Sequence, residues 1–300
     1  MQVFLALLRT MRPRQWTKNI IFVFPAIVFD GQLTNPNALG QIILTSLLLI
    51  LMSGTVYIIN DLVDIEKDRQ HPKKRLRPLP SGTLPIPVAT IAAIILPMFT
   101  LAISLTFSVP LTIVLIVYLL LQIAYSFRLK HIPLLDVMAV TAGFVLRVIA
   151  GVVVIEVQNF SPWLYACTSL LALFLIVGKR RQELVTLGEK AVQTRPIFAH
   201  YNLPLLDEML RLVMTSTFIT YLLYTIEVNV TRVDNVNPAL LTVPPVLYGL
   251  FRYMYLIHIK GEGSAPDEVL LTDRPLQVAI LVWIVIVFIL LYAIETPLPI

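Results

Sequence analysis

The feature that most constrains this chain is a series of nine long apolar runs, at approximately 19–36, 39–59, 85–107, 110–127, 134–156, 162–178, 209–228, 238–258 and 276–296. Each is close to the ~20 residues that an α-helix needs to cross the hydrocarbon of a bilayer. In lipid a backbone can satisfy its own hydrogen bonds only as a helix or a closed barrel. Continuous apolar runs of this length predict helices, so the expected fold class is all-α: a polytopic bundle of nine transmembrane helices. Composition agrees, with 57% hydrophobic and only 14% charged residues, where a soluble domain carries about 25% charged. Pro25 and Pro97 lie inside the first and third runs and predict kinks there. Ser108-Val109-Pro110 predicts a tight turn between the third and fourth. Residues 1–18 mix Arg9, Arg12, Arg14, Trp16 and Lys18 with Leu and Phe, which predicts an amphipathic segment at the membrane surface. Residues 1–300 are expected to form one integral-membrane domain, with no internal repeat. Met1–Leu8 is too short for the apolar core of a cleavable signal.

The loops give the orientation. With the N-terminus and every second loop taken as one side, that side holds all but two of the 23 cations, Arg147 and Arg232 being the exceptions. The positive-inside rule places that side, N-terminus included, in the cytoplasm, and the C-terminus outside. The expectation is a multi-pass protein of the cell (inner) membrane whose working face is cytoplasmic. The net charge of +5 then reflects loop bias and gives no reason to expect nucleic acid. A single cysteine, Cys167, excludes a disulfide framework, and the four histidines lack metal-ligand spacing. A homo-oligomer is compatible with the sequence.

One stretch breaks the apolar pattern. Asn60–Gly82 reads N-D-L-V-D-I-E-K-D-R-Q-H-P-K-K-R-L-R-P-L-P-S-G directly after an apolar run, and residues 60–84 are expected to be a cytoplasmic active-site loop. If the second helix continues to about His71, with Asp61 at zero, then Asp64 falls at about −60°, Asp68 at about −20°, Asn60 at about −100° and Glu66 at about 140°. Asn60, Asp61, Asp64 and Asp68 share a face and Glu66 points away. Carboxylates at i, i+3 and i+7 suit a hard cation such as Mg²⁺, which takes a few carboxylates together with substrate phosphate oxygens. Lys73, Lys74, Arg75 and Arg77 follow and can neutralise a polyphosphate. The alternative is a solvated helix end with a basic loop.

N-D-x-x-D-x-x-x-D after a long apolar helix resembles the first aspartate-rich motif of the UbiA superfamily of intramembrane prenyltransferases. That resemblance implies a nine-helix bundle with a cytoplasm-facing cavity for a Mg²⁺-complexed diphosphate, and metal-diphosphate roles for Asn60, Asp61, Asp64 and Asp68. Typical members carry a second D-x-x-x-D after the sixth helix. Here that place reads G-K-R-R-Q-E-L, Gly178–Leu184, which suits an anion better than a second metal. With R-P-R-Q-W-T-K-N (Arg12–Asn19), the run from Asp136 to Gly151, and G-L-F-R-Y-M-Y-L (Gly249–Leu256) with the later D-R-P-L, this departure is similar to the decaprenyl-phosphate phosphoribosyltransferase branch. The branch implies transfer of phosphoribose from 5-phosphoribosyl 1-diphosphate to a polyprenyl phosphate, with pyrophosphate released.

On this reading Asp61 and Asp64 are catalytic, and Lys130 and Asp136, at the start of the fifth helix, position the ribose; capping that helix is the alternative for Asp136. The candidate substrate-binding residues are Lys18, Asn19, Lys73, Lys74, Arg75, Arg77, Tyr125, Arg128, Arg147, Lys179, Arg180, Arg181 and Arg252. Lys179, Arg180 and Arg181 cannot all face one way on a helix, and Glu183 is a candidate partner for one of them. Arg147, deep in a span, needs a partner or a wet cavity; Glu156, Asp136 or a carbonyl are the candidates. Arg252 either touches substrate or anchors its helix. Two other functions compete: a UbiA-type transferase joining a polyprenyl diphosphate to an aromatic or other lipophilic acceptor, and a membrane transporter.

Overall fold

The computed structural model describes residues 2–70, 74–155, 157, 161–228, 237–260, 269 and 272–293. Every regular element among them is helical. Eight helices are long and apolar enough to cross a membrane: Pro36–Val63, Ile86–Phe107, Val109–Phe127, Leu135–Val152, Pro162–Leu187, Leu203–Glu227, Pro238–Lys260 and Arg274–Tyr292. Their outer faces carry exposed Ile, Leu, Phe and Met, as at Ile94, Ile95, Met98, Phe99 and Leu120. Apolar surface on this scale belongs in lipid, and the chain is a multi-span membrane protein. The expected first crossing at 19–36 is not among the eight. It is two short helices parted at Phe24, where Pro25 cannot donate to the ladder.

Contacts divide the chain into two compact units, Met1–Leu129 with Gly143–Gln158, and Lys130–Ala142 with Asn159–Ile300. The first contains α1 (Gln2–Thr10), α2 (Trp16–Val23), α3 (Pro25–Phe29), α4 (Pro36–Val63), α5 (Ile65–Gln70), α6 (Ile86–Phe107), α7 (Val109–Phe127) and the second half of α8 (Leu135–Val152). The central helix of this unit is α4, with α1, α2, α6 and α7 packed around it. Asn35 opens it by accepting the Asn37 N–H at 3.0 Å, with Pro36 in the first position. Ile42, Leu49, Met52 and Ile58 on α4 are fully buried. Its hydroxyls mostly bond within the helix, Ser46 to the Ile42 carbonyl and Thr55 to that of Leu51, while the buried Thr45 hydroxyl has no hydrogen-bond partner among the described residues. α6 continues through Pro97. Ser108 is extended, and its Oγ accepts the Leu111 N–H, making the tight turn into α7.

Arg12, before α2, pairs with Asp61 near the C-terminal end of α4, while α3 leads to Asn35 at the opposite end of that helix. α4 does not run on unbroken to residue 71. It ends at Val63, Asp64 takes φ −94° and ψ 9°, and α5 begins at Ile65. The ladder still bridges the break, because the Asp68 N–H donates to the Asp64 carbonyl at 2.8 Å.

The second unit contains the first half of α8, then α9 (Pro162–Leu187), α10 (Ala191–Thr194), α11 (Leu203–Glu227), α12 (Val243–Tyr255) and α13 (Arg274–Phe288). α9 and α11 pack together over most of their lengths. Phe174, Val177, Leu206, Leu210, Leu256 and Leu276 form its core. α12 and α13 each pass into a π-helical turn, at Leu256–Lys260 and Ile289–Ala293.

Candidate active site

The end of α4 and the start of α5 gather the acids of the first unit. Asp61 is buried with 2% of its surface exposed, Asp68 with 1%. A single guanidinium joins them: Arg77 Nη1 donates to Asp68 Oδ2 at 2.7 Å and to Asp61 Oδ1 at 3.3 Å. Arg12 Nη2 donates to the same Asp61 oxygen at 2.8 Å, and Lys74 Nζ lies 3.5 Å from Asp68 Oδ1. Asp64, half-buried beside them, has no side-chain hydrogen bond or ion pair among the described residues. Glu66 is exposed and takes Arg69 at 2.6 Å, outside this cluster. Arg12 adopts φ 55°, a left-handed conformation that costs a non-glycine residue energy. Its guanidinium lies 4.5 Å from the ring of Tyr57, one turn before Asp61.

All the anionic donors here are carboxylate oxygens, which suits a hard cation. They are not gathered into a cage: no group of three or more His, Cys, Asp or Glu among the described residues is placed to hold a metal by itself. A hexacoordinate magnesium ion seldom needs one, since it binds through one or two carboxylates, waters and substrate phosphate. The unpaired Asp64, with Asp61 and Asp68 on either side, fits that mode.

A second polar group lies deeper in the same unit. Arg147 on α8 is 8% exposed. Its Nε donates to Asn19 Oδ1 at 2.8 Å, Nη1 to the Gly143 carbonyl at 2.6 Å and Nη2 to the Tyr118 hydroxyl at 2.8 Å. Of the three candidate partners only a carbonyl is found: Asp136 pairs elsewhere, and Glu156 lies outside the described residues. Asn19 in turn donates to Ser53 Oγ on α4 at 3.0 Å.

The second unit ties up the basic run of α9. Arg180 is buried between Asp136 (Nε to Oδ2, 3.1 Å) and Glu183 (2.9 Å). Arg181 Nε donates to Asp207 at 2.5 Å, and Lys179 is half-buried. Asp136, 1% exposed, also accepts the Tyr201 hydroxyl at 2.6 Å, and Tyr201 accepts the Leu134 N–H at 2.8 Å. Burial first, then the bond to Asp136, push the Tyr201 phenol up to about 12, so it stays a donor at neutral pH. Leu134 has φ 66°, a constraint on the entry to α8. Arg252 grips Asp273 with two bonds of 3.1 and 2.8 Å, and Asp273 caps α13 through the Leu276 N–H. Those bonds hold the Asp273 carboxyl below its usual value. Arg252 is therefore the tie between α12 and α13.

Of the remaining candidates, Lys130 and Tyr125 are half-buried and Arg75 and Arg128 exposed. Lys18 is half-buried on α2, one residue before Asn19. Lys73 lies outside the described residues. Sequence reasoning missed Arg12, Tyr57, Tyr118 and Tyr201. Only Tyr57 had a signal, its i−4 spacing from Asp61; Tyr118, Arg12 and Tyr201 meet their side-chain partners 29, 49 and 65 residues away in the chain.

The chain is 29% identical to decaprenyl-phosphate phosphoribosyltransferase of Corynebacterium glutamicum over 95% of its own length and 86% of the relative's. It is 30% identical to the enzyme of that name from Mycolicibacterium smegmatis, over 93% and 90%. A UbiA homologue from Archaeoglobus fulgidus, solved with DMAPP and Mg²⁺, shares its fold with a TM-score of 0.71 at 19% identity, covering 95% of this chain and 99% of that one. The model of the UbiA prenyltransferase family matches residues 20–271, a stretch that takes in Asn19's neighbour on α2, the acids of α4 and α5, Arg147 and the basic run of α9: the chain belongs to the UbiA prenyltransferase family and is a transferase.

Proposed function

We propose that the protein transfers the 5-phosphoribosyl group of 5-phosphoribosyl 1-diphosphate to a polyprenyl phosphate, releasing pyrophosphate in a Mg²⁺-dependent reaction. The observation that carries this is the acid patch Asp61, Asp64 and Asp68 edged by Arg12, Lys74 and Arg77: carboxylates for a metal and cations for the diphosphate stand at one helix end. The names of the near-full-length relatives support a phosphoribosyl group as what is transferred and a polyprenyl phosphate as what receives it. Asp61, Asp64 and Asp68 would hold a magnesium ion, which would supply positive charge against that building on the leaving diphosphate. Arg12, Lys74 and Arg77 add their own charge to that stabilisation. An oxygen of the acceptor phosphate forms the new bond to ribose C1 as the C1–O bond to diphosphate breaks, and the bonding pair leaves with pyrophosphate. The attacking oxygen is already anionic, so no base need remove a proton. Direct displacement inverts C1.

The bundle has nine crossings on this reading, residues 12–35 forming the first, with the acid patch facing the cytoplasm where the soluble donor is found. The Arg12–Asp61 pair at one end of α4 and Asn35 at the other support that crossing, and the loop charges support the orientation. The test is direct. Purified protein given labelled 5-phosphoribosyl 1-diphosphate, Mg²⁺ and polyprenyl phosphate should yield a lipid-extractable product, and EDTA should abolish it. No product at any chain length refutes the reading; a prenylated aromatic made from polyprenyl diphosphate would replace it with the aromatic one.

A further inference from the structure

We infer that Arg147, with Tyr118 and Asn19, forms the seat of the acceptor's phosphate, a second anion site set deeper in the membrane than the acid patch. The inference rests on the phosphoribosyl-transfer reading and assigns to Arg147 one of the two substrates.

A guanidinium presents five N–H donors. Those of Arg147 meet Asn19 Oδ1, the Gly143 carbonyl and the Tyr118 hydroxyl, which accounts for three. One N–H on each of Nη1 and Nη2 has no acceptor among the described residues, and neither has the O–H of Tyr118. All three acceptors are neutral, so the charge has no counter-ion among the described residues. A buried cation without an anion is costly, and it persists where function supplies the anion. Three spare donors around one buried positive charge are the complement of a phosphate.

Depth decides which phosphate. Asn19 links Arg147 to Ser53, which precedes Asp61 on α4 by eight residues, or about 12 Å along the helix. Tyr118, which takes the Arg147 guanidinium, belongs to the apolar core of this unit together with the fully buried Val23, Leu115 and Ala150. A soluble sugar phosphate would have to shed its water to reach that level, whereas a phosphate carried on a polyprenyl tail approaches from within the bilayer. The soluble donor has Arg12, Lys74 and Arg77 at the acid patch. The separation also suits the chemistry: donor diphosphate at the patch, ribose C1 in the interval, and the attacking phosphate against Arg147, in line with the leaving group. Tyr57 lies on α4 midway between the two levels.

The decisive variant is Asn19→Asp. It places a carboxylate where Asn19 Oδ1 already accepts from Arg147, giving the guanidinium an internal anion. If Arg147 serves only to hold the helices together, this change should be neutral or stabilising and leave both substrates unaffected. If the seat is for the acceptor, the variant should keep the thermal midpoint of the wild type yet raise KM for polyprenyl phosphate at least about tenfold, with the donor KM changed by less than about threefold. Arg147→Met should weaken polyprenyl phosphate binding by a similar factor, measured directly with donor and Mg²⁺ absent, and Arg147→Lys should restore part of it. Unchanged acceptor binding in Asn19→Asp, or a KM increase confined to the donor, overturns the inference. Wild-type protein that binds polyprenyl phosphate through Arg147 but transfers no phosphoribose would instead refute the proposed reaction.

Discussion

Asp61 and Glu66 stand on the same short stretch of chain, yet their carboxylates face different surroundings. The side chain of Asp61 is 3% exposed and shared by Arg12 and Arg77, while that of Glu66 is 77% exposed and, among the described residues, paired with Arg69. Asp61→Asn and Asp64→Asn should each lower the rate of phosphoribosyl transfer at least about 10²-fold, the scale of losing a key electrostatic contact. Glu66→Gln should leave it within about threefold, because a solvated pair contributes little. An equal loss in Glu66→Gln would show that the face of the helix does not matter. Helical phase, read from spacing alone, separated these acids, since it depends only on local geometry. The counter-cations were not legible, because Arg12 meets Asp61 across 49 residues of chain. The same limit acted on Lys179-Arg180-Arg181. Glu183, three residues on, was legible as a partner and does pair with Arg180; Asp136 and Asp207 reach Arg180 and Arg181 from 44 and 26 residues away and were not.

Among the elements, α8 shows how a motif divides its labour. Gly143, Arg147 and Gly151 are spaced one turn apart on one face. A Cβ on Gly151 would lie 2.5 Å from the backbone oxygen of Val23 and 3.0 Å from Ala26 Cβ. Backbone cannot step aside as a flexible side chain can, so Gly151→Ala should cost about 2 kcal/mol or more and lower the thermal midpoint by several degrees. Gly40 on α4 has nothing within 4 Å of such a Cβ. Gly40→Ala is the control, and should be neutral or stabilising by up to about 1 kcal/mol. Equal melting of the two variants would mean that α8 does not rest on α2 as closely as described. The sequence made the glycines visible and left their cause hidden, since the contact belongs to a distant segment. Crossing helices were legible for the opposite reason: apolar length is a property of the run itself. The interruptions at Phe24 and Asp64, and the π-helical turns after α12 and α13, depend on packing and carry no comparable signal.

At the scale of the whole molecule, the open quantity is the number of crossings, and it decides which side each loop occupies. Eight helices satisfy length and apolarity by themselves; the segment before α4 is divided and shorter. If residues 12–35 cross, Gln2 and Ser81 lie on the cytoplasmic side and Thr34 lies outside. If they do not, Gln2 joins Thr34 on the side opposite Ser81. All three positions are exposed, and Cys167 is the chain's only cysteine. A Cys167→Ser background therefore allows each to be probed alone, as Gln2→Cys, Thr34→Cys and Ser81→Cys, with a membrane-impermeant maleimide applied to intact cells and to inverted vesicles. The expected result is labelling of Gln2→Cys and Ser81→Cys only in inverted vesicles and of Thr34→Cys only in intact cells. The Arg12–Asp61 pair is what favours that outcome on the proposed reading: the segment starts bound at one end of α4 and ends at its cap, Asn35. Labelling of Gln2→Cys and Thr34→Cys from one side would break both the nine-crossing bundle and the use of Arg12 at the acid patch, because the two claims stand on the same ion pair.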